Sequence, residues 1–182
     1  MQCLSEEERK AILALARQAL TEAVCCGRLL ASFPTEGIFS TRCGVFVTLH
    51  VHGKLRGCIG VIDGLDPLGE SIVRCTASAA LQDPRFTQMR TEEVADSEIE
   101  VSLLSPLQRI LPEQIEVGKH GLVVEQGMKR GLLLPQVAVE HHLDRERFLE
   151  ETCHKAGFSR DAWKHPETAI YGFTCEIVHH QK

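Results

Sequence analysis

Apolar and polar positions alternate most regularly between Cys43 and Gly60, in the run CGVFVTLHVHGKLRGCIG. Val45, Val47, Leu49 and Val51 interleave with Phe46, Thr48, His50 and His52, the mark of a strand with one buried face. His52-Gly53-Lys54 reads as a turn, and a second run from Leu55 to Val61 follows it. A three-residue loop pairs Val51 with Leu55, Leu49 with Gly57, Val47 with Ile59 and Val45 with Val61. Each apolar residue then meets an apolar residue or a glycine. The other face carries His50 with Arg56, Thr48 with Cys58 and Phe46 with Gly60. A slip of one residue would turn every side chain to the wrong face, so the burial pattern selects this register.

The pattern changes period elsewhere. Ser5 with Glu8 forms a capping box, and Ile12, Leu15, Ala16, Ala19, Leu20, Ala23 and Val24 recur at helical spacing. Asp66-Pro67 opens a second helix with Asp66 as its cap, and Asp83-Pro84 ends it. Glu98 to Leu104 alternates as a strand, with Glu100 on its polar face. His120–Glu125 and Gly131–Leu134 read as a second hairpin around Gly127. Pro135 starts a helix that places Gln136 and Glu140, four apart, on one face. Asp144 caps the last clear helix and Gly157 ends it. Thr168 to Val178 is read as one final strand. Helices at both ends with hairpins between them predict an α+β fold rather than alternating βαβ units.

Length and charge narrow the functional classes. A chain of 182 residues, 43% hydrophobic, suits one domain or two small lobes with a real core. A net charge of -5 argues against a broad nucleic-acid footprint. The N-terminus passes directly into SEEERK, which is read as lacking a signal peptide. No apolar run approaches a membrane-spanning length. Eight cysteines in such a chain predict reduced thiols and a cytoplasmic setting. There is no C-x-x-C pair. His50 and His52 share a strand face, but zinc needs further ligands that the neighbouring sequence does not supply. No metal and no cofactor is called for.

Cys58 is the cysteine whose surroundings look chemically arranged. Gly57 and Gly60 flank it, and glycine within a strand marks a bulge or a close approach to the backbone. Arg56 lies two residues away on the same predicted face, and a cation beside a thiol favours the thiolate. Thr48 is its cross-strand partner. The competing reading is a buried core cysteine. Arg85, in the loop after Asp83-Pro84, has two readings of equal standing. It holds a carboxylate or phosphate in fork geometry, or it forms a structural pair with Asp83.

The run LRGCIG at 55–60 resembles the signature of the AMMECR domain family. ALQDPRF at 80–86, EIEVSLLSP at 98–106, VGKHGL at 117–122, GLLLPQVAVE at 131–140 and FLEETCHKAGF at 148–158 resemble its further motifs, in the family's order. The resemblance implies one AMMECR-like domain over 1–182. It would have two intertwined lobes: a larger antiparallel-sheet lobe flanked by helices and built from both chain ends, and a smaller second lobe. A cleft between lobes is the default ligand site. The resemblance carries over His120 as the candidate proton acceptor for Cys58. Arg56, Thr48, Arg85, Gln136 and Glu140 complete the set as candidate substrate-binding residues. It also implies action beside a MEMO-type protein and a radical S-adenosylmethionine protein. Two functions follow as expectations. One is a cysteine-dependent enzyme acting on a small molecule or peptide, and the other is a non-catalytic ligand- or protein-binding module.

Overall fold

In the computed structural model, which describes residues 4–179, the alternating and helical segments condense into an α+β architecture. In chain order the elements are α1 (Glu6–Cys26), β1 (Gly44–Val51), β2 (Lys54–Val61), α2 (Leu68–Leu81), α3 (Thr91–Ala95), β3 (Ser97–Leu104), β4 (Gln108–Arg109), β5 (Gly121–Gln126), β6 (Lys129–Leu133), α4 (Pro135–Glu140), α5 (Arg145–Lys155), β7 (Ala169–Phe173) and β8 (Cys175–His179). The chain divides into two compact units, one holding the residues up to Leu104 together with those from Glu176 onward, the other Ser105–Cys175. Cys3, one of the eight cysteines, lies outside the described residues.

The first unit is a four-stranded sheet in the order β2-β1-β3-β8, with α1 and α2 on one face. Ser5 caps α1: its hydroxyl accepts the Glu8 amide at 3.2 Å, and the Glu8 carboxylate accepts the Ser5 amide at 2.8 Å. One side of α1 buries Ile12, Leu15, Ala16, Ala19, Leu20 and Ala23. These meet Val45, Val47 and Leu49 of β1 and Ile99, Val101 and Leu103 of β3 in a single core. Each fully buried aliphatic side chain here is worth about 1.5–3 kcal/mol of transfer free energy. At α2 the cap differs from expectation. Pro67, in an extended conformation, takes the N-cap position, and Asp66 turns instead to Arg74 at 2.7 Å.

The hairpin register agrees with expectation from Val45↔Val61 to Leu49↔Gly57, including Thr48↔Cys58. Beyond Leu49 it shifts: His50 faces Leu55 and Val51 faces Lys54. The loop is thus a two-residue turn rather than a three-residue one. His52 and Gly53 both take positive φ, 51° and 73°, as a tight hairpin turn requires. Arg56 is the extra residue of a β-bulge and has no partner on β1. The bulge reconciles a two-residue turn with the apolar register further along. It also moves His52 off the strand, so His50 and His52 do not form a pair on one face.

The second unit is a sheet in the order β4-β7-β5-β6, backed by α5. Asp144 caps α5 by accepting the Arg147 amide at 2.8 Å. Phe148, Leu149 and Cys153 pack against Leu122, Val124 and Ile170. The predicted final strand is two strands. It breaks at Thr174, between β7 of one sheet and β8 of the other. Ser105 and Thr174 clasp each other at this break: the Ser105 amide donates to the Thr174 carbonyl, and the Thr174 amide to the Ser105 hydroxyl, each at 2.9 Å.

Candidate functional site

Cys58 sits on β2, the outermost strand of the first sheet. Its amide donates to Asp83 Oδ2 at 2.9 Å, and its carbonyl accepts from Arg85 Nη2 at 3.2 Å. Both backbone groups therefore point away from β1. The Thr48–Cys58 pair is consequently of the non-hydrogen-bonded kind, in which facing side chains come closest. Thr48 Oγ1 donates to Cys58 Sγ at 3.3 Å. A hydroxyl aimed at a sulfur stabilises negative charge there.

Asp83 is the anchor of this edge. Its side chain is only 2% exposed, and Arg85 engages it through Nε at 3.0 Å and Nη2 at 2.7 Å. Hydrogen bonds from Arg85, with the Cys58 and Arg85 amides added, hold the Asp83 carboxyl well below the usual carboxylate range despite its burial. Arg85 in turn is raised, chiefly by Asp83 and further by the neighbouring Cys58 side chain. Its guanidinium lies over the Phe86 ring, 5.4 Å from the centroid, and its side chain stays 51% exposed. Nη1 has no acceptor among the described residues. The structural pair with Asp83 therefore exists, and Nη1 remains open on a guanidinium that contacts Cys58.

Arg56 goes elsewhere. As the bulged residue it sends Nε and Nη2 to Glu93 at 2.8 and 3.2 Å, Nη1 to the Thr87 carbonyl at 2.6 Å and Nη2 to the Gln88 carbonyl at 3.0 Å. Its side chain is 14% exposed. It fastens α3 and the preceding segment to β2. Glu93 answers with a carboxyl lowered to about 2, mainly by Arg56. The flanking glycines are likewise filled by the chain itself. A Cβ on Gly57 would lie 2.0 Å from the Ala79 carbonyl oxygen of α2, and one on Gly60 would lie 2.3 Å from the Phe46 ring. The close approach that glycine permits is helix on strand and ring on strand.

Across the sheet Thr48 faces Glu100 on β3, and Ser102, fully buried, donates to Glu100 at 3.5 Å. Cys58, Thr48 and Glu100 thus form one row across three strands. Strand alternation had put Glu100 on this face but gave no sign that it continues the thiol row. Asp83 was legible in the sequence only as a helix stop and a possible partner of Arg85; its hold on the Cys58 amide was not. Asp83-Pro84 ends a helix and Asp83 lies two residues from Arg85, and neither feature points to the Cys58 amide.

His120, Gln136 and Glu140 belong to the second unit. His120 Nδ1 accepts the Glu116 amide at 3.1 Å, and the His120 amide donates to the Glu116 carbonyl at 3.0 Å. The imidazole closes its own turn, and in the neutral form its other nitrogen, Nε2, carries the proton as a donor. Gln136 has a buried Oε1 without a hydrogen-bond partner among the described residues, and Glu140 is exposed on the same short helix, α4. Of the sequence-predicted set, the first unit brings together Cys58, Thr48 and Arg85. Among the described residues, no group of three or more His, Cys, Asp or Glu side chains is placed to hold a metal ion, and no helix is long and apolar enough to cross a membrane.

A family model described as AMMECR1 matches residues 13–178. A protein of Methanothermobacter thermautotrophicus is 42% identical over 185 residues, covering 97% of this chain and 96% of its own. One from Thermococcus gammatolerans is 41% identical over 188 residues, covering 96% and 91%. Among solved structures, that of an uncharacterized protein from Pyrococcus horikoshii superposes with a TM-score of 0.89 at 39% identity, over 96% of this chain and 92% of that one.

Proposed function

The chain belongs to the AMMECR1 family, and from that premise we propose that it is a thiol-dependent enzyme whose nucleophile is Cys58, acting on a small molecule or peptide. The observation that carries the reading is the Thr48 hydroxyl donating to Cys58 Sγ at 3.3 Å. Arg85 lies against the same residue. Thiolate is the nucleophilic form of cysteine, and donors and cations around the sulfur favour it. Asp83 is a positioning residue: it fixes Arg85 and the Cys58 backbone together. Glu100, next in the cross-strand row, is a carboxylate in register to handle a proton on that face. The eight cysteines support a cytoplasmic setting, and the family resemblance adds His120 as a candidate proton acceptor and action beside a MEMO-type protein and a radical S-adenosylmethionine protein.

The half-exposed Arg85 favours a second reading, in which the same face binds an anionic ligand without covalent chemistry. Intact-mass analysis after incubation with the small-molecule fraction of a cell extract separates the two. The enzyme reading predicts a mass increase that maps to Cys58 and is absent from Cys58→Ser. An unmodified protein that retains the same ligand in wild type and Cys58→Ser would favour the binding module.

A further inference from the structure

Resting on the thiolate reading of Cys58, we infer that this site takes small carboxylates whose electrophilic carbon is bonded directly to the carboxyl group, a 2-oxo acid being the simplest. Three features of Arg85 lead there. Its inner edge is spent on Asp83, through Nε at 3.0 Å and Nη2 at 2.7 Å, so the guanidinium is fixed in place. Its Nη1 has no acceptor among the described residues, and the side chain is 51% exposed. Its Nη2 reaches the carbonyl oxygen of Cys58 itself at 3.2 Å. The cation and the sulfur therefore belong to the immediate surroundings of one residue. The Cys58 side chain also acts on Arg85, so a ligand oxyanion held at Nη1 is brought up to the residue whose sulfur attacks, and a short ligand keeps its electrophilic carbon closest to it. With Nε and Nη2 already engaged, Nη1 takes the ligand carboxylate through a single nitrogen, as a charge-assisted hydrogen bond from a cation held in place.

With a 2-oxo acid the step balances without an added oxidant or reductant. The sulfur forms a bond to the keto carbon, and the carbonyl π bond breaks. Its electron pair goes to oxygen, and the proton lost from the thiol ends on the new hydroxyl. Thr48, which donates to the sulfur before attack, loses that acceptor as the S–C bond forms.

Iodoacetate and iodoacetamide test the assignment, because one carries a carboxylate and the other a neutral amide beside the same electrophilic carbon. In each case S–C forms, C–I breaks and iodide leaves. Peptide mapping gives both rates at Cys58 and at exposed Cys25, which serves as the reference within the same chain. The iodoacetate-to-iodoacetamide rate ratio at Cys58 is expected to exceed that at Cys25 by roughly tenfold, the scale of one charge-assisted hydrogen bond. Acetate should slow iodoacetate at Cys58 and leave Cys25 unchanged. Arg85→Lys should lower the ratio partway and Arg85→Gln should bring it to the Cys25 value. Should Arg85→Gln fail to fold, the acetate competition in wild type still decides. Fast iodoacetamide labelling of Cys58 with a ratio equal to that of Cys25 would overturn the carboxylate assignment and leave the thiolate reading standing. A Cys58 inert to both reagents would sink both.

Discussion

The hydroxyl of Thr48 donates to the sulfur of Cys58 across the first hairpin at 3.3 Å. That contact follows from the ladder: the Cys58 amide and carbonyl turn outward to Asp83 and Arg85, which leaves the pair in the closer of the two antiparallel spacings. An edge strand normally exposes such groups. Here they are covered by a buried carboxylate and its arginine, so the same contacts that protect the edge also orient the thiol.

Thr48→Val keeps the shape and removes the donor. A hydrogen bond to a charged group contributes about 1.5 kcal/mol. Alkylation of Cys58 near neutral pH is therefore expected to slow about tenfold, with the melting temperature nearly unchanged. Equal rates in the two proteins would show that the hydroxyl does nothing for the sulfur.

Gly57→Ala should be among the most damaging single-methyl changes in the first unit. Its Cβ would meet the Ala79 carbonyl oxygen at 2.0 Å, a backbone atom that moves only with α2. A loss of about 3 kcal/mol is expected, at the upper end of ordinary overpacking, read as a lower urea midpoint. Ala tolerated there without cost would mean that the helix does not rest on the strand.

The Arg56–Glu93 pair sets an acid dependence. Arg56 holds Glu93 at about 2 against an ordinary 4.5. A lowered carboxyl contributes stability that is fully present above 4.5 and lost as pH falls through about 2. Glu93→Gln should cost on the order of 1–2 kcal/mol at pH 7, allowing for partial solvent screening. The gap from wild type should then close between pH 4.5 and 2. Urea midpoints across that range check it; a gap that stays constant contradicts the pair's ionic role.

Cys75 sets the opposite limit. Burial in the core pushes its thiol up to about 11 from 9.0, with the nearby Cys58 adding to the rise. A thiol raised on folding contributes stability that is whole below pH 9 and lost as pH rises towards 11. Wild type should lose on the order of 2 kcal/mol more than Cys75→Ala between pH 8.5 and 11. Parallel loss in both proteins would indicate that Cys75 is not sealed in the core.

The α+β class and the Thr48–Cys58 register were legible because burial at period two leaves few alternatives. The bulge at Arg56 was not, since the alternation is the same with or without an extra residue near the turn. That one residue decides whether Arg56 attends the thiol or fastens α3. Asp83 and Arg85 were visible as a helix stop and a loop cation, and their pairing, one of two equal readings of Arg85, is borne out by the structure. Their attachment to Cys58 is a contact across 25 residues of sequence, which no local pattern encodes. The break at Thr174 was hidden for a related reason: the alternation of Tyr171, Phe173, Cys175 and Ile177 carries on unbroken as the chain passes from one sheet to the other.

On the proposed reading, the surroundings of Cys58, rather than its exposure, make it the nucleophile. The direct measurement is the order in which the cysteines react with limiting iodoacetamide at pH 7, read by peptide mapping. Cys25 and Cys26 are exposed and Cys58 is only partly so. Cys58 is nonetheless expected to be labelled first, and Cys75 and Cys153, both buried, last. Labelling that follows exposure alone, with Cys25 and Cys26 ahead of Cys58, would contradict it.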